Sequence, residues 1–281
     1  MNDITVKNLI QSNYPALHSA EKKVADYILN NASDIVNYSV TELSEKSKAS
    51  EATIVRTCKK IGYQGYYHLK IALAKEVIDP DSSYPTEENA NDSASLATFL
   101  LRKQSEDLLR SAQFLDSKAL DKVLKLIAEC DTLFFFGAGN SNPLALYSAY
   151  KFSQLGIRTV AHAISEMQLN SAFSMNKNDL AFGISNSGST NLMLDIFNVV
   201  RERKAKSICL TNYIKSPLSV LSTCQLTTAV SDKIFFEAFD STRVPAMGII
   251  DMLVLLFMHR HKSSYEKYRT REEFLGSRFK G

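Results

Sequence analysis

Ahead of Asp79 the apolar residues recur at helical spacing. Val24, Ile28 and Leu29 mark the first clear helix, and Leu43, Ile54, Val55, Cys58 and Ile61 continue the pattern with no glycine before Gly62. This predicts a small, all-helical N-terminal domain over residues 1–78. Residues 79–95, DPDSSYPTEENANDSAS, carry two prolines, five acids and no basic residue, and read as a hydrated linker. The third part, 96–281, opens with a helical stretch from Leu96 to Ala128. Short β-rich runs then alternate with segments of helical length: Thr132–Phe136, Thr159–Ala163, Leu180–Ser185, Ser207–Thr211 and Gln225–Val230. That alternation predicts a parallel sheet covered by helices on both faces, and the unbroken apolar run LFFFG suits a central strand.

Composition narrows the function classes. The chain has 281 residues, of which 45% are hydrophobic, too many for disorder and enough for two domains. Lys and Arg number 33 against 30 Asp and Glu, so any attraction to nucleic acid must be local. The opening MNDITVKNLI has no basic-then-apolar signal pattern. The longest apolar run, Ile249–Met258, is too short to span a bilayer and contains Asp251. Cys58, Cys130, Cys209 and Cys224 have neither CxxC spacing nor companion histidines. These features predict a cytoplasmic protein with free thiols, no metal, no cofactor and no membrane partner.

The charge is concentrated where it matters. Between Lys46 and Lys75 stand seven basic residues (Lys46, Lys48, Arg56, Lys59, Lys60, Lys70, Lys75) and one acid, Glu51. Within this stretch Thr41 can cap a short helix carrying Leu43, Lys48 and Ala49 form a break, and Ser50 can cap a second helix that Gly62 ends. If Ile54, Val55, Cys58 and Ile61 face the core, then Glu51, Thr53, Arg56, Thr57 and Lys60 face away. Two short helices joined by a tight turn fit a helix-turn-helix, whose second helix enters the DNA major groove. Ser50, Glu51, Thr53, Arg56, Thr57, Lys59, Lys60 and Lys70 are the candidate DNA contacts, with Tyr63, Tyr66, Tyr67 and His68 able to add phosphate contacts. A solvated basic face on an ordinary helical bundle has the same spacing. The clustered charge favours DNA.

Two strand-to-helix loops carry the other candidate chemistry. The first, Gly137–Ser141, offers Gly139, Asn140 and Ser141. The second, Ser185–Thr190, offers Ser185, Asn186, Ser187, Gly188 and Thr190. Backbone amides and small hydroxyls at a helix N-terminus stabilise an anion, and glycine permits close approach. The dinucleotide fingerprint fails because Asn142 stands where a third glycine belongs, and no Gly-Lys-Ser/Thr of a phosphate-binding Walker loop occurs. A pair of ordinary capped turns also fits, most readily for the first loop.

Taken together, SAEKKVADYIL at Ser19–Leu29, the run Ser50–Lys70, GAGNS at Gly137–Ser141, ISNSGST at Ile184–Thr190 and STRVPAMGIID at Ser241–Asp251 resemble the RpiR family of bacterial transcriptional regulators. The resemblance covers nearly the whole chain. It implies a helix-turn-helix domain joined to an α/β SIS (sugar isomerase) domain, a flavodoxin- or Rossmann-like parallel sheet flanked by helices. It also implies a regulator of sugar or amino-sugar metabolism that binds a double-stranded DNA operator and a sugar-phosphate effector. Ser185, Asn186, Ser187 and Thr190 would grip the phosphate, with Ser141 contacting the ligand. One departure concerns catalysis: a glutamate often follows the threonine, and here Asn191, Leu192 and Met193 stand there. A sugar isomerase needs a base in the pocket, for which Glu166 and His162 are the nearby groups. His162 reads as a structural histidine, and Glu166 fits both helix capping and ligand contact. The apolar helix Val244–Met258 fits deep burial or a homodimer or tetramer interface. An isomerase with a helical appendage is the rival reading, and a non-DNA interaction module using the SIS domain for pairing is a third.

Overall fold

The computed structural model describes residues 6–77, 93–228 and 243–279. These divide into two compact units, one ending at Glu106 and one beginning at Asp107. The division falls inside a helix, so the chain past Ser93 is already helical. Most of the expected linker lies outside the described residues, and Ser93–Ser95 begin that helix instead.

The first unit holds α1 (Val6–Asn13), α2 (Ser19–Asn30), α3 (Ala32–Ile35), α4 (Val40–Ser47), α5 (Glu51–Lys60), α6 (Tyr66–Val77) and the start of α7 (Ser93–Ala112). Val24, Ile28, Leu43, Ile54, Cys58, Ile61 and Leu69 form one buried core. Ser39, rather than Thr41, caps α4: its hydroxyl accepts from the Glu42 N–H, and the Glu42 carboxylate accepts from the Ser39 N–H. This reciprocal pair satisfies two otherwise unpaired amides, which a cap at Thr41 would leave open.

The second unit continues with α8 (Ser117–Glu129), β1 (Leu133–Gly137), α9 (Asn142–Ser153), β2 (Thr159–Ala161), α10 (Ser165–Ser174), β3 (Leu180–Ile184), α11 (Asn191–Glu202), β4 (Lys206–Thr211), α12 (Pro217–Leu221), β5 (Cys224–Thr227), α13 (Arg243–Arg260) and α14 (Lys262–Phe279). All the described strand pairs are parallel, in the order β2-β1-β3-β4-β5. Period two divides the LFFFG run between the faces. Leu133 and Phe135 pack with α8, α9 and α13, while Phe134 and Phe136 pack with α10 and α11. Every residue of β1 and β3 is buried, as central parallel strands require.

The strand order reverses at β1. The chain leaves β1 for β2 on one side and returns to β3 on the other, and in open α/β sheets a crevice opens at the carboxyl ends of two such strands. Gly137 pairs with Ile184 in the register, so the two candidate loops leave the sheet side by side.

Candidate functional site

The first loop is held by a network that the amino-acid pattern did not reveal. Gln168 of α10 is buried, and its amide closes a two-way bond with the end of β1. The Gly137 N–H donates to Gln168 Oε1 at 3.0 Å, and Gln168 Nε2 donates to the Gly137 carbonyl at 2.9 Å. Asn142 Nδ2 donates to the same carbonyl and to the carbonyl of His162, joining the ends of β1 and β2. The position that breaks the dinucleotide fingerprint is therefore a structural tie. Beyond Gly137 the chain makes a tight turn over Gly139–Ser141, with Gly139 at φ +53°. Gly139 and Asn140 are exposed, and Ser141 is half-buried at the start of α9.

The second loop folds on its own hydroxyls. Ser185 is buried, and its Oγ accepts from the Gly188 N–H at 3.2 Å; Ser187 Oγ accepts from the Ser189 N–H at 3.2 Å. Gly188 sits at φ +60° against the Ser216 side chain, leaving no room for a Cβ. Both serines accept within the loop, so these bonds do not use their hydroxyl protons. Thr190 precedes α11 and Ser141 precedes α9, and neither side chain caps its helix. The uncapped first turn of α11 is a setting that suits an oxyanion, whereas at α9 the Asn142 N–H already donates to the Gly139 carbonyl and Pro143 has no N–H.

Ser141, Ile184, Asn186, Leu210, Thr211, Thr228 and Arg243 line a narrow crevice beside these loops; of the expected ligand residues Ser141 and Asn186 line it, and Gly139, Asn140, Ser185, Ser187, Gly188 and Thr190 do not. Thr211 and Thr228 direct their hydroxyls internally, to the Tyr213 carbonyl and to the Thr211 carbonyl and Asn212 Oδ1. Asn186 Oδ1 is buried and accepts no hydrogen bond among the described residues. Arg243, the first residue of α13, brings a cation that the sequence reading had not assigned; its signal was the STRVPAMGIID run. Glu166 is exposed in the first turn of α10 and does not line the crevice. His162 is half-buried, engaged through its carbonyl, and does not line it either. Among the described residues no group of His, Cys, Asp and Glu could hold a metal ion. Burial pushes the Cys58 and Cys209 thiols up to about 12 and Cys130 up to about 11, so these are inert apolar groups at neutral pH.

In the first unit, α4, the left-handed Lys48 (φ 54°) and α5 form the expected helix-turn-helix. Ser50 caps α5 by accepting from the Thr53 N–H. The far end closes with two bonds, Gly62 N–H to the Lys59 carbonyl and Tyr63 N–H to the Cys58 carbonyl, with Gly62 at φ +104°. This motif needs a left-handed residue that glycine supplies without strain. The buried face is Ile54, Thr57, Cys58 and Ile61, the i, i+3, i+4, i+7 set. Thr57, expected to face outward, is fully buried and donates to the Thr53 carbonyl, while Val55 is half-buried.

Lys70, expected at the DNA, is buried instead. It is 6% exposed, and its ammonium donates to the Tyr38 carbonyl, because α6 packs that side inward. Tyr66 is likewise buried, its hydroxyl on the Ile35 and Tyr38 carbonyls. Glu51 accepts from Thr41 Oγ1 at 2.7 Å, and Thr53 Oγ1 shares a hydrogen bond with Ser50. Lys60 donates to Glu21 of α2 at 2.7 Å. Arg56 and Lys59 remain exposed on α5, with Tyr67 and His68 exposed on α6.

The Lys60 ammonium, then the His18 amide, hold the Glu21 carboxyl below its ordinary value of 4.5. The unfolded chain therefore takes up a proton near pH 4.5 that the folded unit still refuses. This stabilisation is complete above that pH and is lost as pH falls through the depressed folded value. Urea unfolding followed at pH 7 and at lower pH is expected to show an acid loss that shrinks in Glu21→Gln. An equal loss in both proteins would assign the acid sensitivity elsewhere.

A model of the rpiR-family helix-turn-helix domain matches residues 4–80, and a SIS domain model matches residues 126–256. An uncharacterized HTH-type transcriptional regulator of Caldanaerobacter subterraneus subsp. tengcongensis is 30% identical over 254 residues, spanning 89% of each chain. The Vibrio vulnificus NanR protein, solved complexed with ManNAc-6P, matches at a TM-score of 0.81 and 26% identity, covering 98% of this chain and 99% of that one. The sugar isomerase domain of an RpiR transcription factor from Sphaerobacter thermophilus matches at a TM-score of 0.56 and 18% identity, a likeness of fold, covering 63% of this chain and 98% of that one.

Proposed function

Because the chain belongs to the RpiR family of helix-turn-helix regulators carrying a SIS domain, we propose that it is a DNA-binding regulator of sugar or amino-sugar metabolism whose operator affinity is set by a sugar phosphate. The observation that carries this reading is the crevice at the strand reversal. Ser141, Asn186 and Arg243 line it, with Asn186 Oδ1 a buried acceptor for a sugar hydroxyl, and the Ser185–Thr190 loop with the uncapped first turn of α11 stands beside it. Phosphate supplies acceptors for Arg243 and the loop, and the sugar supplies the donor for Asn186 Oδ1. The complex of Vibrio NanR with ManNAc-6P makes N-acylated hexosamine phosphates the first compounds to try.

On the DNA side, the set consistent with the described geometry is Ser50, Thr53, Arg56 and Lys59. Glu51, Thr57, Lys60 and Lys70 serve the fold of the domain. A second copy of the chain completes the reader, since helix-turn-helix dimers meet two half-sites related by a two-fold axis. Val244, Met247 and Leu255, exposed on α13, are the apolar side chains available to that pairing. Such a protein works in the cytoplasm. An isomerase needs a proton-moving base at the ligand, and of the two expected groups Glu166 is exposed in the first turn of α10 while the His162 carbonyl is held by Asn142.

Thermal unfolding across a panel of hexose, amino-sugar and pentose phosphates tests the reading. At a hundred times its dissociation constant the effector adds about 2.7 kcal/mol. The shift is expected with one compound, without turnover, and is expected to vanish in Ser185→Ala/Ser187→Ala. Turnover would favour the isomerase, and a shift that survives the double substitution would remove the phosphate role of the serines.

A further inference from the structure

Lys60 stands in the most basic stretch of the chain, at the last turn of the helix that would read DNA, and yet its charge is directed inward. Its ammonium lies 2.7 Å from Glu21 Oε2, and the Glu21 side chain is only 2% exposed against 34% for Lys60. The same Oε2 accepts from the His18 N–H at 2.8 Å, capping α2. Glu21 Oε1 is buried and accepts no hydrogen bond among the described residues. If Lys60 turned away to follow a DNA phosphate, one backbone amide would be the only described donor left to a buried carboxylate. A surface phosphate contact merely replaces a condensed counterion, whereas an unpaired buried charge is strongly destabilising. The internal pair therefore wins.

At the other end of α5, Glu51 accepts from Thr41 of α4. One carboxylate ties the first turn of α5 to α4, and another ties its last turn to α2. Arg56 and Lys59 lie exposed between the two ties. We infer that Glu21 is a positioning residue for α5, and that Lys60 is its partner in a clamp and not a phosphate contact. This rests on α5 being the helix that reads DNA.

The test is a double-mutant cycle in the full chain, Glu21→Gln, Lys60→Met and both together. Two quantities are read: the melting temperature, and the affinity for a mixed-sequence DNA duplex as a function of KCl. Lys60→Met alone is expected to melt lowest, because it leaves the carboxylate bare. Glu21→Gln keeps the amide cap and costs less, and the double variant recovers most of the loss. The folded double variant is expected to bind duplex several-fold more weakly at fixed salt, with an unchanged salt slope, since the helix is displaced without loss of a phosphate contact. A slope lower by about one in the double variant would put Lys60 on the DNA and overturn the clamp. Additive melting shifts would overturn it as well. Should the unaltered protein bind duplex with no salt dependence, the DNA reading of α5 fails, and the melting cycle still decides whether the pair exists.

Discussion

Gly137→Ala is expected to lower the stability of the α/β unit by about 1–3 kcal/mol, the usual cost of forcing atoms into a packed site. It is also expected to weaken sugar-phosphate binding about tenfold, a 1.4 kcal/mol step. A Cβ at this position would lie 2.6 Å from the Ser141 carbonyl oxygen and 2.8 Å from its carbonyl carbon. These are backbone atoms, so no side-chain rotation relieves the contact. The strand end cannot yield either, because both peptide groups of Gly137 are fastened to Gln168. The turn Gly139–Ser141 must open, carrying Ser141 away from the crevice. Gly139→Ala, in the turn itself, meets open space, and its φ of +53° adds about 1–2 kcal/mol of backbone strain without a clash. Melting curves with and without the effector check both variants. A Gly137→Ala protein with an unaltered ligand-induced shift would show that the turn does not position the ligand.

For DNA binding the largest effect is expected at Arg56. Removing it should cost about 1–3 kcal/mol of operator affinity and relax preference at one base position, as loss of a bidentate guanidinium contact does. Arg56 is exposed near the middle of α5, between the ends tied by Glu51 and Lys60. Lys59→Ala should instead weaken all sequences alike and reduce the salt slope by about one, the signature of a phosphate contact. Titrations of operator and scrambled duplex at several salt concentrations separate the two. An Arg56→Ala protein that keeps its preference between those duplexes would assign base reading to another side chain.

Arginine and lysine differ here for a reason that periodicity cannot supply. Seven cations between Lys46 and Lys75 marked the helix-turn-helix correctly, but the pattern set Lys60 and Lys70 beside Arg56 and Lys59 as DNA contacts. Lys70 is spent on a carbonyl under α6 and Lys60 on a buried carboxylate 39 residues earlier. Both partners are distant in the chain, so no local spacing announces them. Thr57 differs from its expected place for a local reason. Its hydroxyl suggests an outward face, and the backbone carbonyl of Thr53 satisfies it internally instead.

The amino-acid sequence by itself determined the elements, because helical period, strand runs and capping residues act within a few positions. Ser50, Gly62 and the alternation of strands with helices were legible for that reason, as were the glycine- and serine-bearing loops after β1 and β3. The parallel sheet follows from the alternation, since parallel strands need crossover helices. Tertiary structure alone decided which strands are neighbours, and therefore that Gly137 and Ile184 stand side by side to bring the two loops together. It also decided that Gln168 and Asn142 hold the first loop, that Arg243 reaches the crevice while Glu166 does not, and which lysines keep their charge for a partner. Apart from the Asn142–Gly137 bond, these join residues far apart in the chain, fixed by how packed elements satisfy buried polar groups, and one-dimensional pattern carries no record of that pairing.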